Sequence, residues 1–194
     1  LNNVLTKYYR GQNIEDCVLP FYCVSTDLTR IGPAFHREGD MFTAIRASGS
    51  LPGIVPPVPI GGHWHVDGAI VDNFPIEEMI NWGAQTIIGV SFDHEDSHET
   101  SYTEIPSLQD QLLNGLFGSK EELSIPSIIE AIMISTTAYS LSRQIESEGQ
   151  VDVLIKPEVS EFGLLEWKAF GKVVESGYVK AMKAFDSIDL SISG

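Results

Sequence analysis

Chemistry in this 194-residue chain concentrates in His63-Trp64-His65-Val66-Asp67-Gly68-Ala69-Ile70-Val71-Asp72-Asn73-Phe74-Pro75. Val66, Ile70 and Val71 are β-branched and favour a strand, while Asp67-Gly68 signals a turn. The pattern predicts a carboxylate at the tip of a rigid element, facing whatever lies beyond the strand end. A carboxylate there can accept the proton of a hydroxyl nucleophile, or orient that hydroxyl. Gly68 removes the Cβ that would keep another backbone or a substrate at a distance. The same dipeptide also reads as an ordinary Asp-Gly turn without chemistry.

Other reactive residue types are weaker candidates. His63 and His65 are two apart and would share one strand face, as metal ligands can. No third ligand stands at a matching position, so no metal is expected. His65 shares that face with Asp67 and could assist it. His94 and His98 lie among the carboxylates of residues 93–99, which read as a solvated loop rather than a cation site. Asp27 and Asp72 lie near turns, and Asp72-Asn73 reads as shaping the loop after Asp67. Ser48 and Ser50 read as turn hydrogen-bonders, and Arg46 as a structural partner of a carboxylate. Cys17 and Cys23 fit no zinc spacing and are too few for a disulfide framework, so buried free thiols in a reducing compartment are expected.

The elements that must position these residues alternate. Residues 18–25 form a nearly continuous apolar run, as for a strand covered on both faces. Residues 31–40 read as a polar loop or hairpin and 41–48 as a short helix. A helix over 75–82 has Glu77 and Glu78 set favourably against the dipole, and Gly83 ends it. Residues 86–92 read as a buried strand and 93–103 as a surface loop. Ser124, Pro126 and the Ser127-to-Glu130 spacing mark a helix start. Its apolar face holds Ile128, Ile132 and Tyr139, broadened by Ile129, Ala138 and Leu141. A short strand over 151–155 precedes a last helix. That helix carries Trp167, Phe170, Val174, Tyr178, Ala181 and Phe185 in one stripe, read as core packing. The alternation predicts an α/β fold, helix–sheet–helix in layers, with a mostly parallel sheet.

Upstream of the Asp67 stretch stands Ala44-Ile45-Arg46-Ala47-Ser48-Gly49-Ser50-Leu51-Pro52-Gly53-Ile54-Val55-Pro56-Pro57-Val58. Followed in order by Val66-Asp67-Gly68-Ala69 and Asn73-Phe74-Pro75, it resembles the second half of a patatin-like phospholipase domain. The segment Leu19-Pro20-Phe21-Tyr22-Cys23-Val24-Ser25-Thr26-Asp27-Leu28-Thr29, residues 125–148 and the last helix are similar to the neuropathy-target-esterase-like branch. The likeness runs from about Asp16 onward and implies that residues 1–194 are the C-terminal part of one patatin-like domain. It further implies a serine lipid acyl hydrolase working through a Ser–Asp dyad. The family's aspartate stands in Asp-Gly-Gly or Asp-Gly-Ala, so Asp67 is the implied catalytic residue and Gly68 and Ala69 its motif neighbours. No cofactor or metal is implied. The implied substrate is a phospholipid or lysophospholipid, with contact at a membrane surface.

The family's serine sits in a Gly-x-Ser-x-Gly elbow, which this sequence does not contain. Gly49-Ser50-Leu51-Pro52-Gly53 places its serine directly after the first glycine. The family's glycine-rich oxyanion loop is missing as well. Both precede the aspartate in family members, so the nucleophile-bearing part is expected before Leu1 and the segment alone is expected to be inactive. One alternative is a non-catalytic relative or fragment that binds lipid or a partner protein. Another is an unrelated α/β domain such as a nucleotide binder, which no phosphate-binding glycine loop supports.

Composition narrows the partners. Hydrophobic residues make up 43% and charged residues 20%, as in a globular domain with a real core. The formal net charge is −15, and all of the excess falls after Ile60. Such a surface repels phosphate backbones and excludes nucleic acid as a partner. It also argues against docking on anionic lipid through a basic patch. No stretch is long and apolar enough to span a bilayer, and the chain opens on Leu1 without a signal segment. The expected setting is intracellular, soluble or peripheral to a membrane, with the oligomeric state open.

Overall fold

The computed structural model describes residues 2–92, 128–162 and 166–186. In chain order the elements are α1 Asn2–Tyr9, β1 Cys23–Asp27, β2 Gly32–His36, α2 Met41–Ser48, β3 Val58–Ile60, β4 His63–Asp67, α3 Ile76–Asn81, β5 Ile88–Val90, α4 Ile128–Ser147, β6 Val153–Ile155 and α5 Phe170–Asp186. A 3₁₀ turn, Gly68–Ile70, follows β4 directly. The chain divides into two compact units, residues 1–75 with 126–146 and residues 76–125 with 147–194.

The first unit is built on an antiparallel sheet in the order β2-β1-β4-β3. Short connections dictate the pairing, because four residues join β1 to β2 and two join β3 to β4. Neither can make the crossover that a parallel pair needs. Gly61 and Gly62 turn the second hairpin with φ of +57° and +83°, a left-handed pair that side chains rarely adopt. The first turn is held by Asp27, whose Oδ1 accepts the N–H of Thr29 at 2.8 Å and of Arg30 at 3.0 Å. His63 Nδ1 lies 2.8 Å from Asp27 Oδ2. Burial opposes the charge of Asp27, but His63 and the two backbone N–H groups outweigh it and hold the carboxyl down at about 2. Pro33 and Pro59 lie on the two edge strands, where each removes an N–H that another strand could use.

Helix α2 packs on β1 and β4. Asp40 starts it by accepting the Thr43 N–H at 2.8 Å. Ile14, Met41 and Ala44 form a buried cluster, with Tyr9, Cys17, Cys23 and Ile45 against it. The tip of β4 meets β1 most closely at Gly68. A Cβ there would stand 2.3 Å from the carbonyl oxygen of Val24 and 2.8 Å from its carbon. Only glycine permits this approach.

In the second unit β5 and β6 pair in parallel, and α5 packs on β6. Asp152 Oδ2 accepts the Ile87 N–H at 2.8 Å and sets the register of that pair. Gly83, at φ +84°, ends α3. Among the described residues no helix is long and apolar enough to cross a membrane.

The mixed α/β class holds, with corrections. The expectation of a mostly parallel sheet fails in the first unit, whose hairpins impose antiparallel pairing, and parallel pairing is confined to β5 and β6. The strand expected over 18–25 begins only at Cys23, where pairing with His36 starts. Val18 is fully exposed, and Pro20 has no N–H for a ladder. The strand expected over 86–92 shortens to Ile88–Val90, of which only Gly89 is buried. Helix α4 turns Ile132 and Tyr139 outward and buries Ser140 and Gln144. On α5 the stripe read as core is exposed at Phe170, Val174 and Tyr178. Ala181 and Phe185 of that stripe are half-buried, on a line that also runs through the smaller Val173, Gly177 and Ala184. The loop expected over 93–103 and the helix start at 124–127 lie outside the described residues.

Two stability measurements test this arrangement. Gly68→Ala is expected to cost about 3 kcal/mol, the upper end of ordinary overpacking, because neither backbone can recede. Gly177→Ala, where an added Cβ meets nothing within 4 Å, is expected to gain about 0.5–1 kcal/mol from helix propensity. Urea midpoints read both, and a Gly68→Ala protein as stable as the native one would refute the close approach. The depressed carboxyl of Asp27 contributes stability that is complete above about pH 4, the range of a free carboxyl, and is lost as pH falls towards 2. The deficit of Asp27→Asn should therefore shrink between pH 6 and pH 2; a constant deficit would contradict it.

Candidate active site

Asp67 ends β4 directly opposite Ser25 of β1. Its main chain is held from both sides. Its N–H donates to the Ser50 carbonyl at 3.0 Å, and its own carbonyl accepts the Thr26 hydroxyl at 2.7 Å. Asp67 also caps the 3₁₀ turn, since Oδ1 accepts the Ala69 N–H at 2.9 Å. Among the described residues Oδ2 has no hydrogen-bond partner. The half-buried side chain lines an open cleft of about 330 Å³, together with Tyr22, Cys23, Ser48, Asp72 and Asn73 among others. Burial pushes the Asp67 carboxyl above the usual carboxylate range, and the Ala69 N–H offsets part of that rise. The result is a carboxylate of strengthened basicity at the cleft, with one oxygen bonded and the other without a partner among the described residues.

The motif residues around Asp67 are spent on holding it. Ser50 is wholly buried; its hydroxyl donates to the Arg46 carbonyl at 2.6 Å and accepts from Arg46 Nη1 at 2.5 Å. The helix end that carries this pair thereby presents the Ser50 carbonyl to Asp67. Beyond Asp67, the Gly68 carbonyl accepts the N–H of Val71 at 3.1 Å and of Asp72 at 2.9 Å. Asp72 Oδ1 accepts the Phe74 N–H at 3.3 Å. Helix α4 reaches the same loop, with the Ser140 hydroxyl donating to the Ala69 carbonyl and Asn73 Nδ2 donating to Gln144 Oε1 at 2.7 Å. The Tyr22 hydroxyl donates to the Pro75 carbonyl at 2.9 Å.

The histidines are engaged elsewhere. His65 Nδ1 and His36 Nε2 lie 2.8 Å and 2.7 Å from the buried Ser25 Oγ. A hydroxyl has one proton to give, so one ring nitrogen accepts it and the other donates an N–H. Burial lowers the pKa of both rings, and for His36 the facing His65 lowers it further. His65 is thus bound to Ser25 rather than assisting Asp67, and His63 is bound to Asp27. Burial pushes the Cys23 thiol up to about 11, which keeps it protonated and unreactive at neutral pH. Cys17 and Cys23 are free and half-buried.

Of the residues singled out in the sequence, Asp67, Gly68, Ala69, Asp72 and Ser48 converge on one cleft. Ser50 and Asp72 take the turn and loop roles expected of them, and Arg46 donates to the Ser50 hydroxyl. His94 and His98 lie outside the described residues. Sequence reading missed Thr26, Ser140 and Gln144, because each meets the Asp67 loop across a long chain separation that leaves no local pattern.

Comparison with known proteins bears on the family. Residues 1–80 match the family model described as patatin-like phospholipase. A patatin-like phospholipase domain-containing protein of Caenorhabditis elegans is 30% identical over 173 residues, 86% of this chain and 16% of the relative. Lysophospholipase NTE1 of Mycosarcoma maydis is 30% identical over 191 residues, 97% of this chain and 10% of the relative. Human patatin-like phospholipase domain-containing protein 6 is 27% identical over 183 residues, 91% of this chain and 13% of the relative. The chain thus spans between 10% and 16% of the length of these relatives. Residues 1–80 thus carry a patatin-like phospholipase match, and similarity over nearly the whole chain to these relatives is consistent with the neuropathy-target-esterase-like branch of that family.

Proposed function

We propose that this chain supplies the carboxylate of a Ser–Asp dyad in a serine lipid acyl hydrolase that cleaves phospholipid or lysophospholipid esters. The observation that carries the reading is Asp67, fixed at a strand tip and lining a cleft, with one carboxylate oxygen bonded and the other left without a partner among the described residues. Because the sequence has no Gly-x-Ser-x-Gly, the reading takes the serine and the oxyanion donors from sequence outside these 194 residues, which are then the C-terminal part of the catalytic domain.

The chemistry follows from the charge. As the serine oxygen bonds to the ester carbonyl carbon, its proton passes to Asp67 and the carbonyl electron pair moves onto oxygen. Collapse of that oxyanion breaks the ester C–O bond, and Asp67 returns the proton to the departing alcohol. Water then repeats the sequence on the acyl-serine, giving its proton to Asp67, and the fatty acid leaves as the serine recovers its hydrogen. A solvated carboxyl of pKa about 3.9 is a poor base for an alcohol. Partial burial of Asp67 raises that basicity and supports the role. The acidic surface disfavours docking on anionic lipid, so the reading has membrane contact made without a basic patch. A second reading, a non-catalytic lipid-binding relative, is favoured by the missing serine motif.

Asp67→Asn in the full-length protein is the test. It keeps an acceptor for the Ala69 N–H and is expected to lower turnover of lysophosphatidylcholine by about 10³–10⁴ with the fold intact. A buried carboxylate with a raised pKa weakens the fold above that pKa and stops doing so below about pH 4. The variant should therefore melt higher than the native protein at pH 7, with the difference closing as pH falls. Near-native turnover would reject the dyad. A full-length native protein that binds lipid vesicles but neither turns over nor reacts with a fluorophosphonate would establish the second reading.

A further inference from the structure

Helix α4 does something its sequence does not advertise. Its outward side carries Ile132, Ile134, Tyr139 and Ile145, between 40% and 69% exposed, whereas Ser140 and Gln144 are 1% and 3% exposed. Burying a hydroxyl and an amide is costly unless each finds a partner, and their partners define the purpose. The Ser140 hydroxyl has one proton, shared between the Ala69 carbonyl and the carbonyl of Thr137 in its own helix, the latter at 2.9 Å. Gln144 Oε1 accepts from Asn73 Nδ2 at 2.7 Å. The two contacts are one helical turn apart and grip the two ends of the loop that follows Asp67.

We propose that Ser140 and Gln144 of α4 are positioning residues for the Asp67 carboxylate, clamping the Ala69–Asn73 loop so that the Ala69 N–H stays on Oδ1 and leaves Oδ2 for the reacting hydroxyl. This rests on the Ser–Asp dyad reading above. The causal chain is short. The Ala69 N–H that orients the carboxylate belongs to the residue whose carbonyl Ser140 holds. Asn73, which Gln144 holds, lines the same cleft as Asp67. Without the clamp the carboxylate keeps its strand but loses its aim. Displacements of about 1 Å from such a cause cost about 10²-fold in rate.

The experiment uses the full-length protein with p-nitrophenyl butyrate as the ester probe and fluorophosphonate titration to count active sites. Ser140→Ala and Gln144→Met are each expected to lower kcat per titrated site by about 10- to 100-fold with KM nearly unchanged. Ser140→Thr and Gln144→Glu, which retain the hydroxyl and the acceptor oxygen, should recover most of that loss. Asp67→Asn is measured alongside. If Asp67→Asn is inactive while the α4 variants keep native kcat per site, the clamp is refuted and the dyad stands. If Asp67→Asn keeps native turnover, the dyad falls and the clamp with it. A lower count of active sites with unchanged kcat per site, or failure of both Ser140→Ala and Gln144→Met to fold, assigns α4 to the fold alone and overturns the proposal.

Discussion

The contact of Gly68 with the Val24 backbone is the constraint on which the rest of the site depends. Because no side chain stands between them, the tip of β4 lies directly on β1. The Thr26 hydroxyl can then reach the Asp67 carbonyl, and the Asp67 N–H can reach Ser50. The chain direction after Asp67 follows, since the Gly68 carbonyl starts the turn that carries Ala69 back to the carboxylate. An aspartate on a free loop would turn both oxygens to water. This one is held by its main chain on two sides, and its side chain has little choice of direction.

Two carboxylates on the same pair of strands show how environment divides roles. Asp27 receives three hydrogen bonds, from Thr29, Arg30 and His63, and is held far down the acid scale. That carboxylate is saturated and serves the hairpin. Asp67 receives one and is pushed upward by burial. On the same sheet, Ser25 joins His36 and His65 in a polar cluster across β1, β2 and β4.

The local part of this arrangement was legible in the sequence. Helix α2 runs over Met41–Ser48 as its pattern indicates, the strand before Asp67 and the turn after it are present, and the need for Gly68 follows from the missing Cβ. The order of motifs from Arg46 to Pro75 was enough to point to the family. Sheet direction was misread because alternation of strands and helices was taken as a βαβ pattern, when Gly61-Gly62 and the Asp27 turn were hairpin signals. Helix faces were misread because burial was equated with hydrophobicity. On α4 the inward side is Ser140 and Gln144, and their reason for being buried lies some seventy residues away, in the Asp67 loop. On α5 the half-buried line is mostly of small residues, with Phe185 the aromatic in it, while Phe170 and Tyr178 are exposed.

The central claim is that Asp67 meets a serine hydroxyl contributed from outside these 194 residues. A crystal structure of the full-length protein carrying a covalent fluorophosphonate adduct measures it most directly. The account predicts the modified serine in a sequence segment other than this one, its Oγ within about 2.6–3.2 Å of Asp67 Oδ2. An adduct on Ser48, or on any serine distant from Asp67, would contradict it.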